Sequence, residues 1–235
     1  GKFTQMLPDV FEIFKGDLSA FFTRHPAVHR ELDQIIYQHK GVGFVPASSG
    51  RPIGYFTDAM ADFLFTAVYN LSKYELVIID SAAGNDADVV KLIARADEII
   101  AVATPDPGSI SDVIGLIQAT RNETQRLRVK ILPNKIPLLS FGRIDQSKVD
   151  DIFLGITRPL SRLPGVDFGL LPALPEDPRV KQAGEKRMLV AELFPLSPFS
   201  LALEKIVRII HREQTGIELG IPDRPQTLYE KILHC

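Results

Sequence analysis

The apolar run Val77, Ile78 and Ile79, which ends in Asp80 and a loop of small residues through Gly84, constrains the fold more than any other feature. A short run of such residues without polar alternation is typical of a strand covered on both faces of a parallel sheet. Ligands of open α/β sheets bind beyond the carboxyl ends of the strands, which is where Asp80 would lie. An aspartate there can hold a water on Mg²⁺ or orient an attacking water. It can equally end a strand and cap the next helix, and the residues alone leave both roles open.

Strand and helix patterns alternate along the rest of the chain. Apolar runs predict strands over residues 42–46, 98–103, 128–132 and 168–171, and helical spacing predicts helices over 55–71, 87–94, 109–119 and 149–163. Residues 9–38 also look helical, with breaks at Gly16 and Pro26. We expect Ser109 to cap the helix that it opens. Such alternation predicts an α/β fold with a mostly parallel, twisted sheet and helices on both faces.

Length and composition predict one domain. The 235 residues suffice for one well-buried core, and a formal net charge of -2 gives no electrostatic reason to expect nucleic acid or an anionic membrane as an obligatory partner. The one cysteine, Cys235, cannot form an intrachain disulfide, which favours a reducing cytoplasm. No apolar run is long enough for a membrane span, and no secretion signal opens the chain. We therefore expect a cytoplasmic α/β domain over residues 1–215 and a C-terminal extension over 216–235.

Motifs of several other enzyme classes are missing from the chain. There is no Gly-x-Gly-x-x-Gly turn of a nicotinamide dehydrogenase and no Gly-x-Ser-x-Gly nucleophile elbow of a hydrolase. His25 and His29 have helical spacing, but Pro26 lies between them and no third ligand is obvious. We interpret these histidines as surface residues.

Several blocks together resemble the MinD/ParA family of deviant P-loop ATPases. They are residues 45–50 (VPASSG), 80–84 (DSAAG), 96–112 (ADEIIAVATPDPGSISD), 132–135 (LPNK), 174–180 (LPEDPRV) and 197–202 (SPFSLA). They stand in the family's order, and the first two look closest to the MinD and FlhG branch. That branch governs where and how many cellular structures are assembled.

The resemblance implies a P-loop NTPase-like fold that binds ATP or ADP with Mg²⁺, dimerises across the nucleotide and hydrolyses ATP slowly to release partner proteins. It places Asp80 in the water-mediated magnesium shell as the catalytic residue. It also predicts nucleotide-binding residues in three loops, namely Ser81, Gly84, Asn134, Lys135, Pro175 and Asp177. Gly84 would belong to the segment that senses the γ-phosphate, and the turn from Pro175 to Asp177 would close over the base.

Two of these loop positions have alternative roles. A carboxamide offers a donor and an acceptor side by side, so Asn134 suits the adenine edge. An asparagine after a strand can instead bond its own turn, and this alternative stays open. Asp106 could be a metal ligand, but we interpret it as a turn residue because the family pattern puts little chemistry there.

The family's phosphate-binding loop, Lys-Gly-Gly-x-Gly-Lys-Thr-Thr, does not occur in these residues. Its backbone N–H groups and lysines would supply most of the phosphate affinity, so we predict that this chain alone does not turn over ATP. Two explanations are open. Either a first strand–loop–helix unit of roughly 40 residues is missing from the chain, or the protein is a non-hydrolysing scaffold of ATPase ancestry that binds partner proteins.

The C-terminal extension ends in a short helical piece, residues 228–233. MinD proteins end in an amphipathic membrane-targeting helix, but this piece is short and has one lysine, so it supports membrane contact only weakly. We expect it to pack onto the domain or onto a partner.

Overall fold

The computed structural model describes residues 36–39, 42–45, 58–69, 74–81 and 84–216. Three sets of predictions therefore lie outside the described residues. They are the helical segment from residue 9 to 35 with the histidine pair, the segment 46–50, and the C-terminal extension beyond residue 216.

The described elements, in chain order, are β1 (Tyr37–His39), β2 (Val42–Phe44), α1 (Asp58–Tyr69), α2 (Ala87–Ile93), β3 (Ile99–Ala103), α3 (Pro107–Glu123), β4 (Leu127–Pro133), α4 (Gln146–Leu160), β5 (Val166–Leu170), α5 (Pro178–Glu185), α6 (Val190–Leu193) and α7 (Pro198–Thr215). A single 3₁₀ turn, Ser140–Gly142, precedes α4. None of these helices combines the length and apolar character that a membrane span needs.

Strands β3, β4 and β5 form a parallel sheet in that order. Ala101 pairs with Ile131, and Val129 pairs with Phe168. The strand–helix alternation thus gives the predicted single-domain α/β fold. The predicted bounds of these strands and of α2 differ from the observed ones by one or two residues.

One face of the sheet packs against α3 and α4. Ala101 and Ile131 from the strands lie in a buried cluster with Ile117 of α3 and Ile156 of α4. This face holds most of the buried apolar side chains, so it supplies the largest part of the hydrophobic stabilisation.

Helix α7 covers the other face near the carboxyl ends of the strands. Ile206 packs with Leu132, Leu171 and Leu174 in a second buried cluster. Farther along α7, Glu213 pairs with Lys130 of β4, whose ammonium also lies 3.6 Å from Glu98. Both faces of the sheet therefore carry helices, as predicted.

Three helices begin with the same local device, a capping side chain followed by proline. Asp106, Asp177 and Ser197 each accept a hydrogen bond from a backbone N–H of the first turn of α3, α5 and α7. The proline that follows has a fixed φ suited to the first helical position and no N–H that would need a partner. For α3 this corrects the predicted cap, because Asp106 rather than Ser109 occupies that position.

The segment that ends in Asp80 differs from its prediction. Residues 74–80 form no strand, and the side chain of Ile78 is 79% exposed. On β3, Ile100 and Val102 are also exposed, and in the described part of the chain no strand pairs with the edge of β3 that faces away from β4. The prediction of a buried strand here is therefore wrong for this structure, because none of the described strands lies beside the segment to complete its backbone hydrogen bonds.

The paired strands at residues 37–39 and 42–44 hold another difference. Tyr37–His39 is a strand, although helix was predicted as far as residue 38. It pairs antiparallel with Val42–Phe44, so the predicted strand at 42–46 exists but does not join the parallel sheet. A three-residue antiparallel pair needs only a tight turn, and this local pairing prevailed over the helical pattern.

Candidate functional site

The loops after β3, β4 and β5 lie at one edge of the sheet because the three strands are parallel. This is the edge at which α/β proteins bind ligands. Of the predicted site residues, it holds Asn134, Lys135, Pro175 and Asp177, together with the turn residue Asp106.

Backbone hydrogen bonds join the loop after β4 to the loop after β5. Leu174 N donates to Pro133 O at 2.8 Å, Ile136 N to Leu174 O at 3.1 Å, and Glu176 N to Ile136 O at 2.9 Å. Ile136 is fully buried beneath this junction. The structure therefore brings Asn134 and Lys135 next to the turn that begins at Pro175, although about 40 residues separate the two segments in sequence.

Asn134 and Lys135 form a tight turn at the end of β4. Asn134 N donates to Ala103 O at 2.8 Å, which ties this turn to the end of β3 as well. The side-chain oxygen of Asn134 accepts from Lys135 N at 2.9 Å, and Lys135 has a φ of 54°. The asparagine thus bonds its own turn in this structure. The left-handed residue beside it leaves the lysine side chain exposed at the site.

Asp177 is the most buried charged group at this edge, with 9% of its surface exposed. Its Oδ1 accepts from Arg179 N at 3.0 Å and so caps α5. Its Oδ2 is buried and has no hydrogen-bond partner, since the Arg179 guanidinium lies 3.7 Å away. A buried carboxylate oxygen without a donor is costly, so this atom can accept from an ordered water or from a donor group of a ligand.

The loop after β3 is built around Asp106. Its carboxylate accepts from Ser109 N at 2.8 Å and from the Thr104 hydroxyl, while Ser109 Oγ accepts from Thr104 N at 3.0 Å. The Thr104 hydroxyl, followed by the backbone N–H of Ser109, lowers the pKa of Asp106 below its ordinary value. The interpretation of Asp106 as a turn residue is confirmed, since both carboxylate oxygens serve the start of α3.

Asp80, Ser81 and Gly84 belong to the segment that precedes α2. Asp80 and Gly84 are exposed and Ser81 is half-buried, and no hydrogen bond or ion pair found in the described residues joins them to the loops after β4 and β5. Gly84 has a φ of 108°, a conformation that favours glycine. Within the described ranges no three carboxylate, histidine or cysteine side chains cluster tightly enough to hold a metal ion.

The residues present therefore fit one end of a nucleotide better than the other. The joined loops offer donors on the Asn134 carboxamide and the Lys135 ammonium and an acceptor on the buried Asp177 oxygen, and groups of both kinds can pair with the polar atoms of a base and a ribose. Of the residues predicted for the magnesium and phosphate end, the structure describes Asp80, Ser81 and Gly84, which lie on an exposed segment.

Sequence patterns missed two supports of this site. Ile136 anchors the joined loops, and its signal was an apolar residue two positions after Asn134 that is followed by Pro137. Arg179 lies nearest the free oxygen of Asp177, and it follows the Asp-Pro pair that opens α5. Tertiary contact decides both roles, and spacing in the sequence does not reveal it.

The fold and the edge of loops define a single-domain α/β protein with a parallel sheet. No protein-family model matches the chain. The antiactivator FleN of Pseudomonas aeruginosa is 27% identical over 178 residues, which cover 75% of this chain and 61% of that protein. An uncharacterized ATP-binding protein of Methanocaldococcus jannaschii is 28% identical over 222 residues, covering 89% of this chain and 76% of that protein.

A solved structure shows the same fold. The septum site-determining protein MinD of Pyrococcus horikoshii, complexed with Mg-ADP, superposes with a TM-score of 0.57 at 18% identity, covering 81% of this chain and 72% of that chain. Together with the relatives, this likeness supports the resemblance to the MinD/ParA family. This chain therefore spans about three fifths (61%) of the length of FleN.

Proposed function

We propose that this chain is the ATP-binding domain of a nucleotide-dependent dimerisation switch that positions a cellular structure or regulates its assembly. The observation that carries the proposal is the junction of the loops after β4 and β5, which gathers Asn134, Lys135, Pro175 and Asp177 at the ligand edge of a parallel sheet. The relatives support the biological role, since FleN is an antiactivator and MinD determines the septum site.

At the base end, the residues would act as follows. The Asn134 carboxamide would pair with the adenine edge, Pro175 would pack over the ring, and the turn that ends in Asp177 would close the pocket. Oδ2 of Asp177 has an open acceptor site for a ribose hydroxyl or the adenine amino group. Lys135 is exposed beside them and would offset the negative charge of the nucleotide.

At the phosphate end, Asp80 would hold a water of the Mg²⁺ shell, with Ser81 and Gly84 beside the phosphates. The bound Mg²⁺ would neutralise phosphate charge. The γ-phosphate would favour the dimer through contacts that ADP lacks, so its loss would shift the population toward free subunits and release partners. Because no Lys-Gly-Gly-x-Gly-Lys-Thr-Thr loop occurs in these 235 residues, we expect this chain to bind nucleotide weakly and not to turn it over.

Titration with adenosine tests the base end by itself, since adenosine carries no phosphate. Backbone amide NMR signals of residues 134–136 and 174–177 should shift on addition of adenosine and shift less with guanosine. Asn134→Ala should weaken adenosine binding about tenfold, the equivalent of one lost hydrogen bond. Asn122→Ala, an exposed asparagine on α3, is the matched control and should change nothing. Equal shifts with guanosine, or none with adenosine, would remove the base site from the proposal.

A second titration tests the magnesium end. ADP should bind more tightly with Mg²⁺ than without it, and Asp80→Ala should remove that difference while adenosine binding stays unchanged. An ATPase rate that requires Mg²⁺ and disappears on Asp80→Ala would contradict the expectation of no turnover. Adenosine binding without any effect of Mg²⁺ on ADP would leave the base end standing and reject Asp80 as a magnesium residue.

A non-hydrolysing partner-binding scaffold is the second candidate function. It is favoured by the exposed apolar side chains of Val77, Ile78 and Ile79 and, on β3, of Val102. Such surface is typical of a protein contact. Absence of any nucleotide binding in both titrations would make this the function to pursue.

A further inference from the structure

The loop between β4 and α4 carries the most exposed large apolar side chain in the described part of the chain. Phe141 is 99% exposed, and Leu139 beside it is 48% exposed. We call residues 139–143 the knob. The knob follows Asn134 and Lys135 in the chain, and the proposed function does not use it.

Backbone bonds hold the knob in one shape. Leu139 N donates to Arg143 O at 2.7 Å, and Gly142 N donates to Leu139 O at 3.1 Å. At its base, Leu138 forms a bridge with Ile144, which packs against the main core. The exposed tip is therefore fixed to the body of the domain, and an ordered tip loses little conformational entropy on binding.

Phe141 also has an unfavourable backbone conformation, with φ 63° and ψ 23°. For a bulky residue without local side-chain hydrogen bonds, this left-handed region is an outlier. Outliers of this kind persist where the surroundings enforce them, and they concentrate at functional sites. The strain places an aromatic ring in solvent, where it gains nothing from the monomer. An aromatic anchor with an adjacent arginine, Arg143, is a typical centre of a protein interface.

The outer face of α4 contains an open depression, which we call the notch. It is lined by Asp151, Leu154, Gly155, Arg158 and Pro159. The open cavity measures about 370 Å³, and a cavity of about 150 Å³ already accommodates benzene.

One charge at the rim, the Asp151 carboxylate, is opposite in sign to Arg143 of the knob. Asp151 pairs with Lys148 at 3.3 Å, but both side chains are largely exposed, so this pair is weak and can exchange partners. Arg143 of the knob could replace Lys148 as the partner of Asp151. Arg158 could lie against the face of an inserted ring. The notch thus has an apolar wall, an acid for the arginine and a cation for the ring.

We propose that Phe141 of one copy of this protein inserts into the notch of a second copy, with Arg143 paired to Asp151. Because knob and notch are different patches of one molecule, the contact is heterologous: each bound pair keeps one free knob and one free notch. Association through it continues into chains or rings. It is small, hence weak and concentration-dependent, and it requires no nucleotide.

Sedimentation velocity of the full chain without nucleotide or Mg²⁺ tests the contact. The wild type should form larger species as its concentration rises. Phe141→Ala and Leu154→Lys should each weaken association about tenfold or more, as expected for the centre of an interface. Leu189→Ala, at an exposed leucine outside both patches, is the control and should associate like the wild type.

Mixing the two variants makes the test specific. Phe141→Ala keeps a notch and Leu154→Lys keeps a knob, so an equimolar mixture should form a 1:1 dimer and nothing larger. Asp151→Arg and Arg143→Asp should each weaken association, and a protein with both changes should recover it. A mixture that stays monomeric, or a charge exchange that fails to restore association, would overturn the proposal.

A fluorescent probe at the knob reports what covers it. The chain contains no tryptophan, so Phe141→Trp provides a single reporter. Its emission should shift to shorter wavelength as protein concentration rises, and Leu154→Lys in the same protein should abolish the shift. A shift produced by anionic phosphatidylserine vesicles at a concentration where the protein is monomeric would instead identify a membrane as the occupant and reject the second copy.

Discussion

The two ends of the candidate nucleotide site differ in how they are built. At the base end, the loops after β4 and β5 share three backbone hydrogen bonds above the fully buried Ile136. At the magnesium end, Asp80 follows an extended segment whose Ile78 is 79% exposed. The first is held by its own strands, whereas the second has no adjacent strand in the described residues. A loop is therefore only as well positioned as the strand that delivers it.

The largest expected change in stability comes from substituting one isoleucine at each end of the site. Ile136→Ala should lower the free energy of unfolding by about 2 to 5 kcal/mol, because it opens a cavity under the joined loops. Ile78→Ala should change it by no more than about 0.5 kcal/mol, since the side chain is already in solvent. Urea unfolding of both variants measures the contrast. Equal losses would mean that the Asp80 segment is packed in solution.

A smaller difference in stability is expected between alanine substitutions at two glycines with positive φ. Gly165 has a φ of 76°, and a Cβ there would lie 2.3 Å from Gln125 O, whereas Gly84 has open space around it. Gly165→Ala should cost about 2 to 4 kcal/mol, from the left-handed conformation and the steric conflict together. Gly84→Ala should cost about 1 kcal/mol, from conformation alone. Thermal unfolding of the two variants checks the order, and a costlier Gly84→Ala would contradict it.

The two predicted acidic site residues should also differ in stability. Asp177→Ala removes the cap of α5 and should cost about 1 kcal/mol. Asp80→Ala should stay within about 0.5 kcal/mol, because the exposed carboxylate makes no cap. The same urea experiment measures both. A large loss for Asp80→Ala would show that this residue supports the fold as well as any ligand.

The smallest expected effect concerns the pKa of Asp106. The Thr104 hydroxyl contributes most to lowering it from 3.8, so Thr104→Val should raise it toward that value. A lowered pKa in the folded state stabilises the protein above pH 3.8, and this contribution is lost as the pH falls through the lowered pKa. Carboxyl carbon NMR across acidic pH measures the shift. Thr124→Val, at the other end of α3, is the control and should leave the pKa of Asp106 unchanged.

Much of the sheet could be predicted because its signals are local. The apolar runs at β3, β4 and β5 and the helical spacing of α4 are properties of a few neighbouring residues. The Asp80 segment carries an equally good strand signal, yet it is not a strand here. Strand propensity describes what suits a sheet, and the backbone partner must come from elsewhere in the molecule. The site residues stay predictions at both ends, although the structure brings only those of the base end together.

The sequence by itself determined the α/β class and the alternation of strands and helices along the chain, because these depend on residues close together in the chain. The tertiary structure decided that Asn134 meets the turn at Pro175, that Asp177 has a buried oxygen without a donor, and that Phe141 stands in solvent at the tip of a fixed loop. Those facts depend on contacts between distant segments. Their free energy comes from burying side chains of several elements together, which no local pattern specifies.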